Sequence, residues 1–250
     1  MSRDPAPVDL DDALAVVGYG ADALDGALDA RLAEALDHAP AAALVQRLDE
    51  LRRALQAGSP RVTRRGAGLV GRLLGRDVQA EAEALRLRDR LGVLIARADA
   101  DAGGVRARTR VQQALLDEVE RSIHAIEART GQARDWLDAH PQAGTGSGLV
   151  ASPRERLLQR LDQLDTVRAA WTIGASQLAL LRDQSLDLLA RYQRIRDVLL
   201  PVWRQHALGD AAAAGGQRAG EAARAHAAIE SEVVAMAATL DPRPAPQAPE

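Results

Sequence analysis

Residues 160–208 read RLDQLDTVRAAWTIGASQLALLRDQSLDLLARYQRIRDVLLPVWRQHAL and give the clearest indication of the architecture. They are part of one apolar-periodic segment that starts near Pro153, a residue suited to a first helical turn. Pro201 removes one backbone donor and predicts a kink in the last turn. In the second half, residues that are mostly apolar alternate at spacings of three and four, which is typical of a helix with one buried face. This predicted seam consists of Leu178, Leu181, Ser185, Leu188, Tyr192, Ile195, Leu199 and Val202.

A second long helix is predicted over residues 105–139. Its heptad stripe consists of Leu116, Val119, Ile123, Ile126, Thr130, Ala133 and Leu137. The Gly- and Pro-rich residues 140–153 separate it from the first segment as a linker. Two such helices bury their seams most simply as an antiparallel hairpin, with other helices or a second subunit covering the remaining stripe. We therefore predict an all-α protein, an elongated bundle built on long antiparallel heptad-patterned helices.

The remaining sequence is also rich in helix formers and poor in alternating strand patterns. Further helices are predicted at 9–17, 21–38, 40–57, 77–102 and 218–240, with Gly103-Gly104 loosening or ending the fourth of them. The predicted organisation is an acidic helical region at 1–60, a basic Gly/Arg-rich connector at 61–76 and a helical core at 77–240. Linkers are expected at 140–153 and 209–217, and the Pro-rich tail 241–250 is predicted to be disordered.

The composition excludes several kinds of chemistry. Of 250 residues, 47% are hydrophobic and 27% charged; Cys, Phe, Lys and Asn are absent, so all 32 basic residues are Arg. This bias is typical of a GC-rich bacterial genome. Without Cys there is no thiolate nucleophile, disulfide or zinc-thiolate site. Without Lys there is neither a Walker A motif nor Schiff-base catalysis.

The compartment is predicted from absent signals. No run of about 18 apolar residues occurs, and the first twelve residues are acidic without an apolar core, so no secretory signal is expected. We therefore expect a cytoplasmic protein, with contact at the inner face of the membrane as an extension of that hypothesis.

Charge is unevenly distributed. Residues 1–50 carry eleven acids against three Arg, whereas residues 51–76 carry seven Arg and no acid. The candidate membrane or partner patch is Arg64, Arg65, Arg72 and Arg76. Arginines can hold a segment weakly on an anionic membrane, or the segment is an exposed loop balanced by the acidic N-terminal region. Nucleic acid is not expected, because no aromatic side chain interleaves with the arginines for base stacking.

Two motifs have the form of a chemical site without its context. The GxGxxG string at 66–71 lacks the preceding strand and βαβ unit that dinucleotide binding needs. Glu120, His124 and Glu127 share one helix face, but a helical di-metal site needs a second Glu-x-x-His helix, so a surface ion pair is expected. No catalytic, cofactor or metal residue is predicted.

The aromatic residues are few, and we expect them in the core. Trp171 and Trp203 lie near opposite ends of the long helix, and Trp136 and Tyr192 lie on or beside the apolar seams. With no Phe in the chain, they are the bulkiest side chains available to fill it.

Two blocks of the long helix resemble the TelA family of toxic anion (tellurite) resistance proteins. The family has the form R-L-x-D-L, then an Arg, then P-Q-I-R-L-I-Q-N-N, and here the matching positions are Arg160, Leu161, Leu164, Arg168, Gln177, Leu178, Leu180 and Leu181. The family's I-P-L-W-K-N-Q is matched by residues 200–204, LPVWR, with the spacing between the blocks kept. The positions carried over as family-motif residues are Gln177, Pro201, Trp203 and Arg204. For Pro201 and Trp203 we expect a structural role in packing and kink geometry.

The first block also departs from the family pattern. The Pro before the Gln is Ser176, the next polar Arg is Ala179, and Gln-Asn-Asn is replaced by Arg182, Asp183 and Gln184. The chain is thus similar to a divergent member of the family. The resemblance implies a role in toxic anion resistance or envelope stress response that acts through partner proteins. The residues themselves offer no catalytic constellation, so we expect a non-enzymatic protein, and the sequence leaves a homo-oligomer open. The alternatives are a helical coiled-coil scaffold or adaptor without a link to anions, and a metal- or anion-binding enzyme.

Overall fold

The computed structural model describes residues 6–37, 39–57, 76–145, 151–207 and 217–240. Every regular element among them is helical and none is a strand, so the all-α prediction is confirmed. The helices are α1 (Ala13–Gly18), α2 (Leu28–Ala35), α3 (Ala39–Ala57), α4 (Arg76–Ala139), α5 (Pro153–Arg194), α6 (Leu200–Ala207) and α7 (Gln217–Leu240). A 3₁₀ turn lies at Ala21–Ala23, and a π-helical turn at Ile195–Leu199 joins α5 to α6. No helix in these ranges is long and apolar enough to span a bilayer.

The helices pack into two compact units. The first combines Met1–Asp37 with Arg110–Arg182, and the second combines His38–Thr109 with Asp183–Glu250. Both α4 and α5 therefore contribute to each unit. The two units differ from the regions predicted along the sequence, because the long helices bring together segments that are distant in the chain.

The N-terminal region is less continuous than its composition suggests. Asp12 caps α1 by accepting a hydrogen bond from the Leu14 amide at 2.8 Å, so that helix begins later than expected. A single helix over 21–38 was a wrong prediction, since a 3₁₀ turn and α2 occupy this range with irregular backbone between them. Gly20 precedes the break with a φ of 71°, a left-handed conformation that glycine adopts without a Cβ penalty.

The long helix α4 runs through the two glycines that were expected to loosen or end it. Gly103 and Gly104 are exposed and helical, and that prediction is wrong. Each glycine costs about 1 kcal/mol of helix propensity. Ala102 and Val105 on either side are buried in the core of the second unit, and burial of this kind outweighs a local preference.

The first unit is an antiparallel packing of α4 and α5 covered by α1 and α2. Polar pairs between the long helices show the direction: Arg134 with Asp165 at 2.5 Å, Glu127 with Arg168 at 3.0 Å, and Gln113 with Arg182 at 2.6 Å. Positions rise along one helix as they fall along the other, so the predicted hairpin arrangement is confirmed here. The largest core side chains include Leu28, Ile126, Leu137, Leu157, Leu161, Leu164 and Trp171.

The predicted stripe on 105–139 is largely the buried one. Five of its seven members are buried, while Leu116 and Ile123 are half-buried and Leu115 takes an inner position instead. Each large apolar side chain that leaves water contributes about 1.5–3 kcal/mol. Burial of this stripe therefore contributes to the stability of this unit.

A capping box starts α5 at the predicted position. Glu155 accepts a hydrogen bond from the Ser152 amide at 2.8 Å, and the Ser152 hydroxyl accepts one from the Glu155 amide at 3.3 Å. Arg154 donates to the carbonyls of Leu137 and His140 at the end of α4, both at 3.2 Å. These contacts fix the turn between the long helices, although residues 146–150 of the predicted linker lie outside the described residues.

The second unit packs α7 against α3, α6 and the π turn. Its core joins the first half of α4 to the end of α5, and includes Leu44, Leu48, Leu91, Leu188, Tyr192, Ile195, Leu200, Trp203, Ile229 and Met236. Both units thus have a continuous apolar core of their own.

Candidate functional site

The π turn changes which residues of the LPVWR block face inward. In it the Leu200 amide donates to the carbonyl of Ile195, five residues back. One residue is thereby inserted into the helical repeat. The seam continues from Ile195 to Leu200 and Trp203, 2% and 3% exposed, instead of to Leu199 and Val202. The prediction for the last two seam positions is therefore wrong by one residue.

Pro201 gives the physical reason for this insertion. A proline in a regular α-helix lacks the amide that would bond four residues back, and its ring collides with that carbonyl. Here the carbonyl would be that of Asp197, which lies within the π turn. The wider turn accommodates the ring, and Pro201 itself remains exposed.

Trp203 belongs to the core of the second unit, where its cluster includes Ala225, Ile229 and Val233 of α7. Trp203 is 3% exposed, as expected of a core residue, and its structural role stays a prediction. Arg204 follows it half-buried, and its Nε is enclosed without a hydrogen-bond partner among the described residues.

Gln177 has the opposite environment, because it lies exposed on the outward face of α5. It is part of AAWTIGASQLALL, residues 169–181, which contains no charged residue in a chain that is 27% charged. Ile173 and Leu180 on the same face are 61% and 62% exposed. We call Ala169, Ile173, Ser176, Gln177 and Leu180 the uncharged face of α5.

The inward side of this segment is fastened to α2. Trp171 is 2% exposed, and its indole Nε1 donates to Asp29 Oδ1 at 2.8 Å. At Gly174 a Cβ would lie 3.5 Å from Leu32 Cδ1, which is ordinary packing distance. The uncharged face therefore projects from a helix whose other side is fixed in a core.

The family-like residues at the start of α5 have structural contacts. Leu161 and Leu164 are fully buried, and Arg160 donates from Nε to the Tyr19 carbonyl at 2.9 Å. Arg168 donates to Glu127 at 3.0 Å and lies 3.4 Å from Asp165. These side chains hold the first unit together.

The Glu120, His124 and Glu127 group is an exposed ion-pair cluster. His124 lies 3.2 Å from Glu127 and 4.0 Å from Glu120. The hydrogen bond from Arg168, followed by that with His124, holds the pKa of Glu127 below its ordinary value. Within the described ranges no group of three His, Asp or Glu side chains is placed to hold a metal ion.

The second unit contains a polar pair, formed by the buried Tyr192 and the half-buried Asp99, that sequence patterns did not indicate. The hydroxyl of Tyr192, a residue 1% exposed, donates to Asp99 Oδ1 at 2.7 Å, and Arg196 Nε lies 3.1 Å from the same oxygen. Burial, followed by the hydrogen bond to Asp99, raises the pKa of the Tyr192 phenol. An aspartate and a tyrosine ninety-three positions apart carry no local signal of their pairing.

The basic connector lies almost wholly beyond the described residues. Arg64, Arg65 and Arg72 are outside them. Arg76 is the first residue of α4, and the structure describes only its backbone. The patch predicted there stays a prediction, as does the tail 241–250. Of the predicted linker 209–217, residues 209–216 lie outside the described residues, and Gln217 is the first residue of α7.

Comparison with known proteins gives a relative that the chain matches over most of its length. No family model matches the sequence, and no solved structure matches it significantly. The chain is 31% identical to protein KlaA of Escherichia coli over 217 residues, a span that covers 84% of each protein. Identity of this level across most of both chains indicates common ancestry of the whole helical arrangement and not of one motif. The chain belongs to the family of protein KlaA.

Proposed function

We propose that this chain is a non-enzymatic helical protein that contributes to resistance against toxic anions such as tellurite, or to the associated envelope stress response. We further propose that it works in the bacterial cytoplasm through partner proteins. The anion assignment is supported by the similarity of residues 160–184 and 200–204 to the TelA family. Kinship with KlaA across 84% of the chain supports a function that belongs to the whole helical protein.

The observation that carries the partner hypothesis is the uncharged face of α5. Two large aliphatic side chains, Ile173 and Leu180, are each about 60% exposed one heptad apart, with Ser176 and Gln177 between them. Spacing of seven residues places them in line on a helix surface. An uncharged helix of a partner protein fits such a line, since its apolar residues would cover both side chains and its polar ones would meet Gln177.

The non-enzymatic part of the proposal rests on how the polar side chains are used. Trp171 bonds Asp29, Tyr192 bonds Asp99, and the Tyr19 hydroxyl bonds the Arg129 carbonyl at 2.8 Å. In each case the bond joins two segments far apart in sequence. These groups are engaged in holding helices together, which supports a scaffold more than a site of chemistry.

Survival on tellurite tests the anion assignment. A tellurite-sensitive bacterial strain would carry the gene for this chain, an empty vector, or the chain with Glu120, His124 and Glu127 all changed to Ala. We expect the wild-type chain and the triple variant to raise the tolerated tellurite concentration equally. Protection by neither protein would contradict the anion assignment, and protection lost only in the triple variant would favour a metal- or anion-binding enzyme.

A scaffold without a link to anions is the second candidate. The same exposed, uncharged face of α5 favours it, because that face fits a helix whatever the pathway. Tellurite tolerance that is unaffected by the protein, together with a phenotype lost on changing Ile173 and Leu180, would support this alternative.

A further inference from the structure

The outward face of α4 in the second unit carries exposed apolar side chains. Leu85 and Val93 are each 53% exposed, whereas Leu91, Leu94 and Ala98 on the opposite side are buried. On the exposed side the small residues Gly92 and Ala96 lie beside Val93, and Asp89 lies between Leu85 and Val93, four residues from each. Leu85, Gly92, Val93 and Ala96 form a low ridge along three turns of helix, apolar except where Asp89 interrupts it.

Arginines flank this ridge. Arg86, Arg90 and Arg97 are exposed at helical spacings of four and seven on one side, and Arg88 is exposed on the other. Residues 85–97 hold these four arginines against a single acid, Asp89, a net charge of +3. We call the four ridge residues and their flanking arginines the basic ridge of α4.

These arginines differ from others in the same unit. Arg47 is paired with Glu50 at 2.7 Å and Arg191 with Asp187 at 2.7 Å. Among the side chains that the structure describes, no carboxylate pairs with Arg86, Arg90 or Arg97.

We propose that the basic ridge of α4 is a docking surface for an anionic lipid membrane. Phosphate headgroups would meet the flanking guanidinium groups, and Leu85 and Val93 would enter the boundary between headgroups and acyl chains. A helix that has arginines on both sides of exposed apolar side chains is suited to lying in the plane of such an interface. This surface is independent of the proposed role in anion resistance.

The charge and shape of the ridge favour lipid over an acidic protein. A protein partner would have to wrap around the helix to reach the arginines on both of its sides. A fluid layer of headgroups contacts both sides at once. The ridge residues Gly92 and Ala96 also offer no pocket or knob for specific protein packing. Attraction of this kind is electrostatic and weakens as salt screens it.

Vesicle sedimentation tests the proposal. The probes are phosphatidylcholine vesicles with and without phosphatidylglycerol, at low and at physiological salt. We expect the full chain to bind the anionic vesicles, to bind less as salt rises, and not to bind pure phosphatidylcholine. Absence of binding to anionic vesicles at low salt would overturn the proposal.

Variants locate the surface. Each arginine near an anionic membrane is worth about a fivefold change in partitioning, so Arg86→Gln, Arg90→Gln and Arg97→Gln together should weaken it on the order of a hundredfold. Replacing the same three by Lys should preserve binding. If the triple Gln variant fails to fold, the single Arg90→Gln variant should still show about a fivefold loss. Unchanged binding by the folded Gln variants would overturn the proposal.

Two further variants separate other sources of binding. A chain with the exposed Arg110, Arg121 and Arg224 changed to Gln has the same net charge as the test variant and should bind like wild type. If vesicle binding falls equally in that control and in the test variant, net charge alone explains the binding, and the ridge is not a defined docking surface. If changing Arg64, Arg65, Arg72 and Arg76 to Gln removes all binding while the ridge variant removes none, the connector and not the ridge is the membrane contact.

Discussion

The indole Nε1 of Trp171 donates to Asp29 Oδ1 at 2.8 Å and thereby joins α5 to α2 in the first unit. We expect Asp29→Ala to lower the free energy of unfolding by about 1 kcal/mol, because the N–H of a buried indole loses its partner. Denaturant unfolding measures this change. In a Trp171→Phe background the same substitution should cost almost nothing, and an equal cost in both backgrounds would contradict the assigned bond.

Gly20 approaches Leu164 closely with a left-handed backbone. Its φ is 71°, and an added Cβ would lie 2.7 Å from Cδ1 of Leu164, a fully buried residue. Gly20→Ala should therefore destabilise the protein by about 1–2 kcal/mol from backbone conformation alone. Gly26→Ala, whose Cβ would meet nothing within 4 Å, is the matched control. Equal melting temperatures for the two variants would show that this turn does not constrain residue 20.

We expect Trp203 to contribute strongly to the stability of the folded protein. It is 3% exposed in the core of the second unit, and truncation of such a side chain typically costs about 3–5 kcal/mol. The neighbouring Val202, 37% exposed, should tolerate Ala within about 0.5 kcal/mol. Thermal and denaturant unfolding of Trp203→Ala and Val202→Ala compare the two. An unchanged stability of Trp203→Ala with lost function would instead make the LPVWR turn a binding site.

Alkaline pH should destabilise the protein through Tyr192. Its pKa is raised in the folded state, chiefly by burial, above the unfolded value of about 10. The folded protein thus favours the neutral phenol, so this contribution is fully present below pH of about 10 and is lost as pH rises towards the folded pKa. Burial also raises the pKa of Tyr19, the other tyrosine. Unfolding followed from neutral pH upward should be less pH-dependent in Tyr192→Phe than in Tyr19→Phe, and the reverse order would contradict the account.

Sequence patterns predicted what depends on local periodicity. The three-four repeat indicates long helices with one buried face, and the all-α class was predicted correctly from it. The start of α5 at Pro153 and the burial of Trp171 and Trp203 were also predicted correctly. The seam was followed correctly as far as Ile195. Beyond that residue a single inserted position in the π turn exchanged inner and outer residues, and no periodicity analysis of an ideal helix contains such an insertion.

The other differences come from tertiary structure. Gly103 and Gly104 remain helical because the flanking residues are buried. Helix propensity is a local property and does not include the effect of that burial. The partners of Trp171 and Tyr192 are aspartates distant in the chain, which only the packed helices bring within hydrogen-bond distance. The uncharged face of α5 was present in the sequence as a gap in charge, but its exposure became apparent only when the buried side of the helix was known.

Tellurite tolerance of a variant altered only at the uncharged face of α5 tests whether the chain supports anion resistance through that face. Ile173→Ser with Leu180→Ser removes the two exposed aliphatic side chains, and Val198→Ser with Val234→Ser is the control pair, 54% and 58% exposed elsewhere. We predict that both variants melt within a few degrees of wild type, since exposed positions change stability by about 0.5 kcal/mol or less. We predict that the first variant loses tellurite protection while the control keeps it. Full protection by a folded Ile173→Ser, Leu180→Ser protein would show that resistance does not depend on this face.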